Sequence, residues 1–296
     1  MMLTWLTLLG GMLSCGLQRG ELQRGELQAG LWEQAELWRS DGVPLGVPAG
    51  ERLAAQRLFN ELLAGAPANI LPVDFERRAA ELSLEVHFQP GAVLLHGDGG
   101  VFAVRLGDPE IPPLILQAPH AWYDFKTGRI SCALFDSGVP RALFLNGGQR
   151  YGGVGGDDPR FDVAHRHDTL YQAATIGAAQ GVIDPLVVQL HGYGPKTSPA
   201  AGVVSRGGSL EPMDVQEQAV VDLGRLFSKL GPVHPGEGEP SLAARSNTQS
   251  HVLAGQARFL HVELGKQARR DLTQDPELLA AFGQLLQDWA LQDGTP

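Results

Sequence analysis

Cysteine is scarce in this chain: Cys15 and Cys132 are the only two among 296 residues. Two distant cysteines make no disulfide framework, and without a Cys-x-x-Cys pair a thiolate-rich structural zinc site is excluded. Basic residues are also few. The 23 Lys and Arg face 33 Asp and Glu, leaving a net charge of −10, the wrong sign for a nucleic-acid surface. No Gly-x-Ser-x-Gly elbow occurs, which removes the usual signature of a serine hydrolase. Cys132 sits mid-helix among apolar neighbours, a poor place for a nucleophile. The glycine-rich stretch Tyr151 to Gly156 is not followed by Lys-Ser/Thr, so it is no phosphate-binding loop. The apolar run within residues 1–15 is too short to span a bilayer as a helix.

That run does fit the apolar region of an export signal. Leu13-Ser14-Cys15 resembles a lipoprotein cleavage box, with Cys15 as the lipidated residue. The expectation is an exported protein of the cell envelope, membrane-attached through Cys15, or else periplasmic or extracellular. A buried N-terminal helix is the competing reading. Residues 16–50 begin with a tandem Leu-Gln-Arg-Gly-Glu. Five residues is too short a period for a solenoid, and the segment reads as a low-complexity tether.

Residues 51–110 read as a small α+β subdomain. Leu53, Leu58, Leu62 and Leu63 place a helix over Glu51 to Ala64, and glycine-rich turns cut Leu84 to Leu106 into an antiparallel meander. His96, beside one of those turns, reads as a surface histidine. Residues 111–296 alternate strands (Leu114–Ala118, Ala142–Leu145, Leu186–Leu190, Ala201–Ser205, Phe259–Leu264) with helices (Thr127–Phe135, His167–Gly181, Met213–Leu230, Pro276–Leu291). The predicted fold is α/β: a mostly parallel mixed sheet flanked by helices, with a small N-terminal α+β extension.

Three of these strands deliver ionisable side chains at or near their carboxyl ends, where open α/β sheets place their crevice. His120 and Asp124 follow the first, His191 ends the second, and Glu263 lies late in the third. Hydrolytic zinc takes three His, Asp or Glu ligands and keeps a position for water, whose pKa it lowers to about 7. His120, Asp124 and His191 suit the ligands. They are four residues apart where the first two are concerned, hence on one face if the chain turns helically after Pro119. Gly192 and Gly194 leave room for a sharp turn and a close substrate. Glu263, between Val262 and Leu264, suits a proton shuttle whose pKa burial raises. Each residue has a plainer reading: hydrogen-bonded structural histidines, Asp124 as a cap, Glu263 paired with Arg269 or Arg270.

The cluster Asp162, His165, His167 and Asp168 opens a helix that Asp168 could cap. These groups could bind substrate, steady a ligand, ligate metal, or simply form a solvated helix start. Asn247 could orient an amide or lie in a surface loop. His261 shares a strand face with Glu263 and is a minor candidate for support.

Val-Val-Gln-Leu-His191-Gly-Tyr-Gly resembles the second-histidine strand of the zinc carboxypeptidases. Phe259-Leu-His-Val-Glu263-Leu resembles the late strand carrying their catalytic Glu, and Ala118-Pro119-His120 resembles the Pro-His start of the N-formylglutamate amidohydrolases. The resemblance spans roughly residues 114–272. It implies one Zn²⁺ held by His120, Asp124 and His191, with Glu263 as the catalytic base. Its substrate-side expectations are Arg150 as an oxyanion or carboxylate partner and Tyr193 near the substrate. It departs from the carboxypeptidase pattern at Tyr123, where their His-x-x-Glu places an acid, and in having no arginine-rich carboxylate motif. The implied activity is hydrolysis of an amide bond in a peptide, a cell-wall strand or an N-acyl amino acid. A non-catalytic, ligand-binding envelope lipoprotein on the same scaffold is the alternative.

Overall fold

The computed structural model describes residues 30–39, 46–148, 150, 159–208 and 214–292. The expected signal, Cys15, the tandem repeat and the loop from Tyr151 to Gly156 lie outside the described residues. Among those described, no helix is long and apolar enough to cross a membrane.

The chain opens with α1 (Leu31–Leu37), α2 (Ala49–Gly65) and α3 (Phe75–Glu81), followed by β1 (Glu85–Gln89), β2 (Ala92–Gly97) and β3 (Gly100–Arg105). Next come β4 (Leu114–Ala118), α4 (Thr127–Asp136), β5 (Ala142–Leu145), α5 (Leu170–Gly181), β6 (Leu186–Tyr193) and β7 (Gly202–Ser205). The last elements are α6 (Asp214–Leu226), β8 (Val233–Pro235), α7 (Thr248–Val252), β9 (Arg258–Gly265), α8 (Lys266–Gln274) and α9 (Pro276–Leu291).

The strands form one sheet in the order β1-β2-β3-β5-β4-β6-β9-β7-β8. It is mixed and helix-flanked, as the alternation predicts. Parallel pairing does not dominate, however. The ladders β4–β5, β4–β6, β6–β9 and β7–β8 are parallel, and the other four between described strands are antiparallel. The meander is the reason: β3 docks antiparallel on β5 and carries β1 and β2 into the main sheet. The stretch read as tether also holds structure, since α1 buries Leu31 and Ala35.

Both sheet faces are covered, so the central strands read as nearly continuous apolar runs. One face packs Leu116, Val188 and Val262 against α4, α6, α8 and α9, with α1 over its meander end. The other packs Ile115, Val187 and Phe259 against α2, α3 and α5. Helix α5 lies close on α2 because Gly177 and Gly181 face it. A methyl group at Gly177 would collide with the Gln56 carbonyl oxygen, and one at Gly181 with that of Asn60. Thr169, not Asp168, caps α5, its side chain accepting from the Gln172 N–H. Asp168 pairs instead with the Arg166 guanidinium at 2.8 Å.

Candidate metal centre

Strands β4, β6 and β9 are adjacent and parallel, so their carboxyl ends share one edge of the sheet. Alternation sets what each shows on the α2/α5 face. On β6 the series is Val187, Gln189, His191; on β9 it is Phe259, His261, Glu263; on β4 it is Ile115, Gln117. Each begins in the apolar core and turns polar toward the carboxyl end. In the β6–β9 ladder His191 stands beside Glu263, and Gln189 beside His261.

His120 follows β4 through Pro119. The Asp124 N–H donates to the His120 carbonyl oxygen at 2.8 Å, a helical turn that puts both side chains on one side. Three atoms then converge. His120 Nδ1 lies 3.1 Å from His191 Nδ1, and Asp124 Oδ2 lies 3.4 Å from the first and 3.2 Å from the second. All three side chains are buried. Tetrahedral zinc with bonds of roughly 2.0–2.1 Å has donor–donor edges of roughly 3.3–3.4 Å, which these separations approach.

The far ring nitrogens strengthen the fit. His120 Nε2 is 2.9 Å from Asp162 Oδ1, and His191 Nε2 is 3.4 Å from Gln189 Oε1. Both partners are acceptors, so each histidine that donates there presents a bare lone pair at Nδ1. In that tautomer two imidazole lone pairs and a carboxylate oxygen face one point, which either a proton or a metal ion can bridge. A carboxylate behind a ligating histidine fixes its tautomer and orientation, and Asp162 stands in that position. Asp124 is oriented by the Gly192 N–H at 3.2 Å. A Cβ at Gly192 would strike the Arg269 guanidinium, so the glycine admits that side chain and not a substrate.

The electrostatics follow from burial and these contacts. Burial penalises charge on His120, but hydrogen bonds with Asp124 and Asp162 outweigh it and raise its pKa. Burial lowers His191 to about 4 against the opposing pull of Asp124. Burial also opposes ionisation of Asp124 and Asp162; histidine hydrogen bonds reverse that and hold both carboxyls well below the usual range. Among the described residues Glu263 has no such hydrogen bond, the nearest histidine nitrogen being His261 Nε2 at 3.8 Å from its Oε1. Burial, with the Asp124 charge nearby, pushes it up to about 8. Its Oε2 and the Nδ1 of His261 are buried without a hydrogen bond among the described residues.

A net of buried amides supports the site. Gln189 donates to Gln117 at 2.8 Å and to Gln249 at 3.3 Å, and accepts from Asn247 at 2.7 Å. Gln117 in turn donates to Thr175 at 2.8 Å. The sequence reading passed over Gln117 and Gln189, although a glutamine inside each apolar strand run was visible there. His261, a minor candidate for support in the sequence, packs its ring against that of His191 at 4.4 Å.

Other expected residues fall as follows. Arg150 donates from Nε to Asp162 Oδ2 at 3.2 Å and lines the cleft. His165 reaches Asp162 at 3.0 Å and Ser246 at 3.1 Å. Asn247 lines the cleft and caps α7. Tyr193 turns away, its hydroxyl donating to the Ala200 carbonyl oxygen at 2.5 Å. His167 is exposed and outside the cleft lining.

No family model and no curated protein matches the chain. Among solved structures it is similar to an N-formylglutamate amidohydrolase from Ralstonia eutropha JMP134, at 14% identity and a TM-score of 0.39, over 61% of this chain and 93% of that one. It is also similar to a succinylglutamate desuccinylase from Vibrio parahaemolyticus, at 14% identity and a TM-score of 0.42, over 72% and 79% of the two chains. A zinc-free structure of YNDL is similar at 13% identity and a TM-score of 0.41, over 61% and 85%.

Proposed function

We propose that the protein is a zinc-dependent hydrolase of amide bonds, with His120, Asp124 and His191 as ligands and Glu263 as the proton carrier. The observation that carries this reading is the triangle of acceptor atoms, 3.1, 3.2 and 3.4 Å on its sides, with both imidazoles tied back by acceptors behind them. A divalent ion bound there supplies Lewis acidity for an amide carbonyl, acidifies a water, and favours the ionised form of Glu263.

The remaining work belongs to the chain. Asp162 and Gln189 hold the two imidazoles in one tautomer and one orientation. Glu263, beside His191 on the neighbouring strand, takes a proton from the attacking water and returns it to the leaving nitrogen. The Glu263 side chain, 12% exposed, lines the cleft beside His261. Arg150, anchored on Asp162, places positive charge at the cleft wall.

The cleft measures about 180 Å³ and has Arg150 and Arg245 in its lining. The two arginines suit a carboxylate-bearing N-acyl compound, which is the substrate class to test first. The test combines elemental analysis with hydrolysis of an N-acyl amino-acid panel. Zinc should co-purify or be taken up at the triad, and Glu263→Gln should keep the metal and lose at least about 100-fold in kcat. A protein that takes up no zinc, or a Glu263→Gln variant with undiminished turnover, rejects the reading.

A further inference from the structure

A second convergence of ligand atoms lies at the meander end of the sheet. In the β1–β2 ladder Glu85 stands opposite His96, and His87 follows two residues on, so all three side chains share one face. His87 Nε2 and His96 Nε2 are 2.9 Å apart. Glu85 Oε2 is 3.3 Å from the latter and 4.0 Å from the former. The longest side belongs to Glu85, whose side chain is 75% exposed and has room to adjust.

These atoms are lidded. The Trp38 indole lies over His96 at 4.4 Å with an interplanar angle of 4°, and over His87 at 5.0 Å and 24°. The two imidazole planes are within 20° of one another. Trp38 is the residue that follows α1 as its C-cap, and Gln34 of α1 accepts from Gln89 of β1 at 2.7 Å. The helix therefore sits on the same strands that supply the ligands. Alternation on β2 puts His96 on the face of Leu94, where α1 packs, while His191 and Glu263 lie on the other face. Four strand spacings of roughly 4.8 Å separate β2 from β6, so this cluster shares nothing with the central triad.

We infer that Glu85, His87 and His96 form a second site for a divalent transition ion, roofed by Trp38, which fastens α1 to the edge of the sheet. Two imidazoles and one carboxylate suit Zn²⁺, with water completing the shell on the exposed side. The indole excludes water from the other side, as an apolar shell does around many metal sites. Binding here is independent of catalysis and of whether the central triad holds zinc.

The test uses the full chain, stripped with chelator and titrated with Zn²⁺. In an Asp124→Asn/His191→Asn variant, which removes two of the three central ligands, one zinc per chain is expected to remain, and Zn²⁺ should raise the Tm. Adding His87→Gln and His96→Gln should abolish both the stoichiometric zinc and the Tm shift. Glu85→Gln, a change at an exposed side chain that leaves the fold alone, should weaken binding about tenfold or more. With the central ligands intact, His96→Gln should leave amide hydrolysis unchanged. The inference is overturned if the Asp124→Asn/His191→Asn variant binds no zinc. It is equally overturned if removing both histidines leaves that zinc in place, or if Glu85→Gln binds as tightly as its parent. Failure of the hydrolase reading would show separately, in the activity of the otherwise unaltered chain.

Discussion

Glu263 illustrates how one residue's surroundings set its chemistry. Its neighbours on β9 are core residues, its Oε2 has no hydrogen bond among the described residues, and the buried charge of Asp124 is nearby. Its pKa rises from an ordinary 4.5 to about 8. A carboxyl whose folded pKa exceeds its unfolded one stabilises the fold fully below the unfolded value. That contribution is lost as pH rises from about 4.5 to about 8. Glutamine has the same shape and never ionises. In chelator-treated protein, Glu263→Gln should therefore gain in Tm over the parent progressively between pH 5 and 8. Thermal melts across that range check it, and a constant difference would show that Glu263 is already charged in the fold. His191 runs the other way: held at about 4, it adds stability above the ordinary histidine range that disappears as pH falls toward 4. The ionisable residues of the central site were legible because each ends or follows an apolar run. Their glutamine supports were not, because an uncharged side chain inside a strand carries no sign of what it touches.

At the scale of elements, the packing of α5 on α2 decides how closely the α2/α5 layer covers the site face. Ala173, Ala174, Gly177, Ala178 and Gly181 make one side of α5 small. Gly177→Ala sets two effects against each other. Alanine is the better helix former by about 1 kcal/mol, but its methyl group meets the Gln56 backbone oxygen, which cannot swing aside as a side chain can. Overpacking of this kind costs about 1–3 kcal/mol, so the clash should win and the variant should unfold at lower denaturant. Equilibrium unfolding measures it, and an unchanged or higher midpoint would mean that α2 shifts freely. The helices α4 and α9 fall where the alternation of strands and helices puts them, and the structure adds the cap of α9, Asp275 accepting from the Glu277 and Leu278 N–H groups. The docking of β3 on β5 was not readable, because a meander followed by a parallel unit fits two separate sheets as well as one. The same limit hid the second ligand cluster: His87 and His96 are nine residues apart, and only the hairpin register aligns them.

For the molecule as a whole, the central triad is a tie between distant parts of the chain. His120 and Asp124 follow β4, while His191 lies near the carboxyl end of β6 some 70 residues later with α4, β5 and α5 in between. An unfolded chain does not hold these groups together, so binding at the triad favours the folded state alone. With free Zn²⁺ held about 100-fold above its Kd, the stabilisation is about 2.7 kcal/mol. The experiment belongs in a Glu85→Gln/His96→Gln background, where the edge cluster is silenced and only the centre responds. Chelation there should lower the stability by that amount, and Asp124→Asn should abolish the difference by removing the one anionic ligand. Asp162→Asn should retain part of it, since it keeps all three ligands and loses only the carboxylate that orients His120, a change that typically costs 10–100-fold in affinity. If chelation leaves the stability untouched while zinc is shown to leave the protein, the acceptor triangle is filled by a proton and not by a metal, and the catalytic reading falls with it.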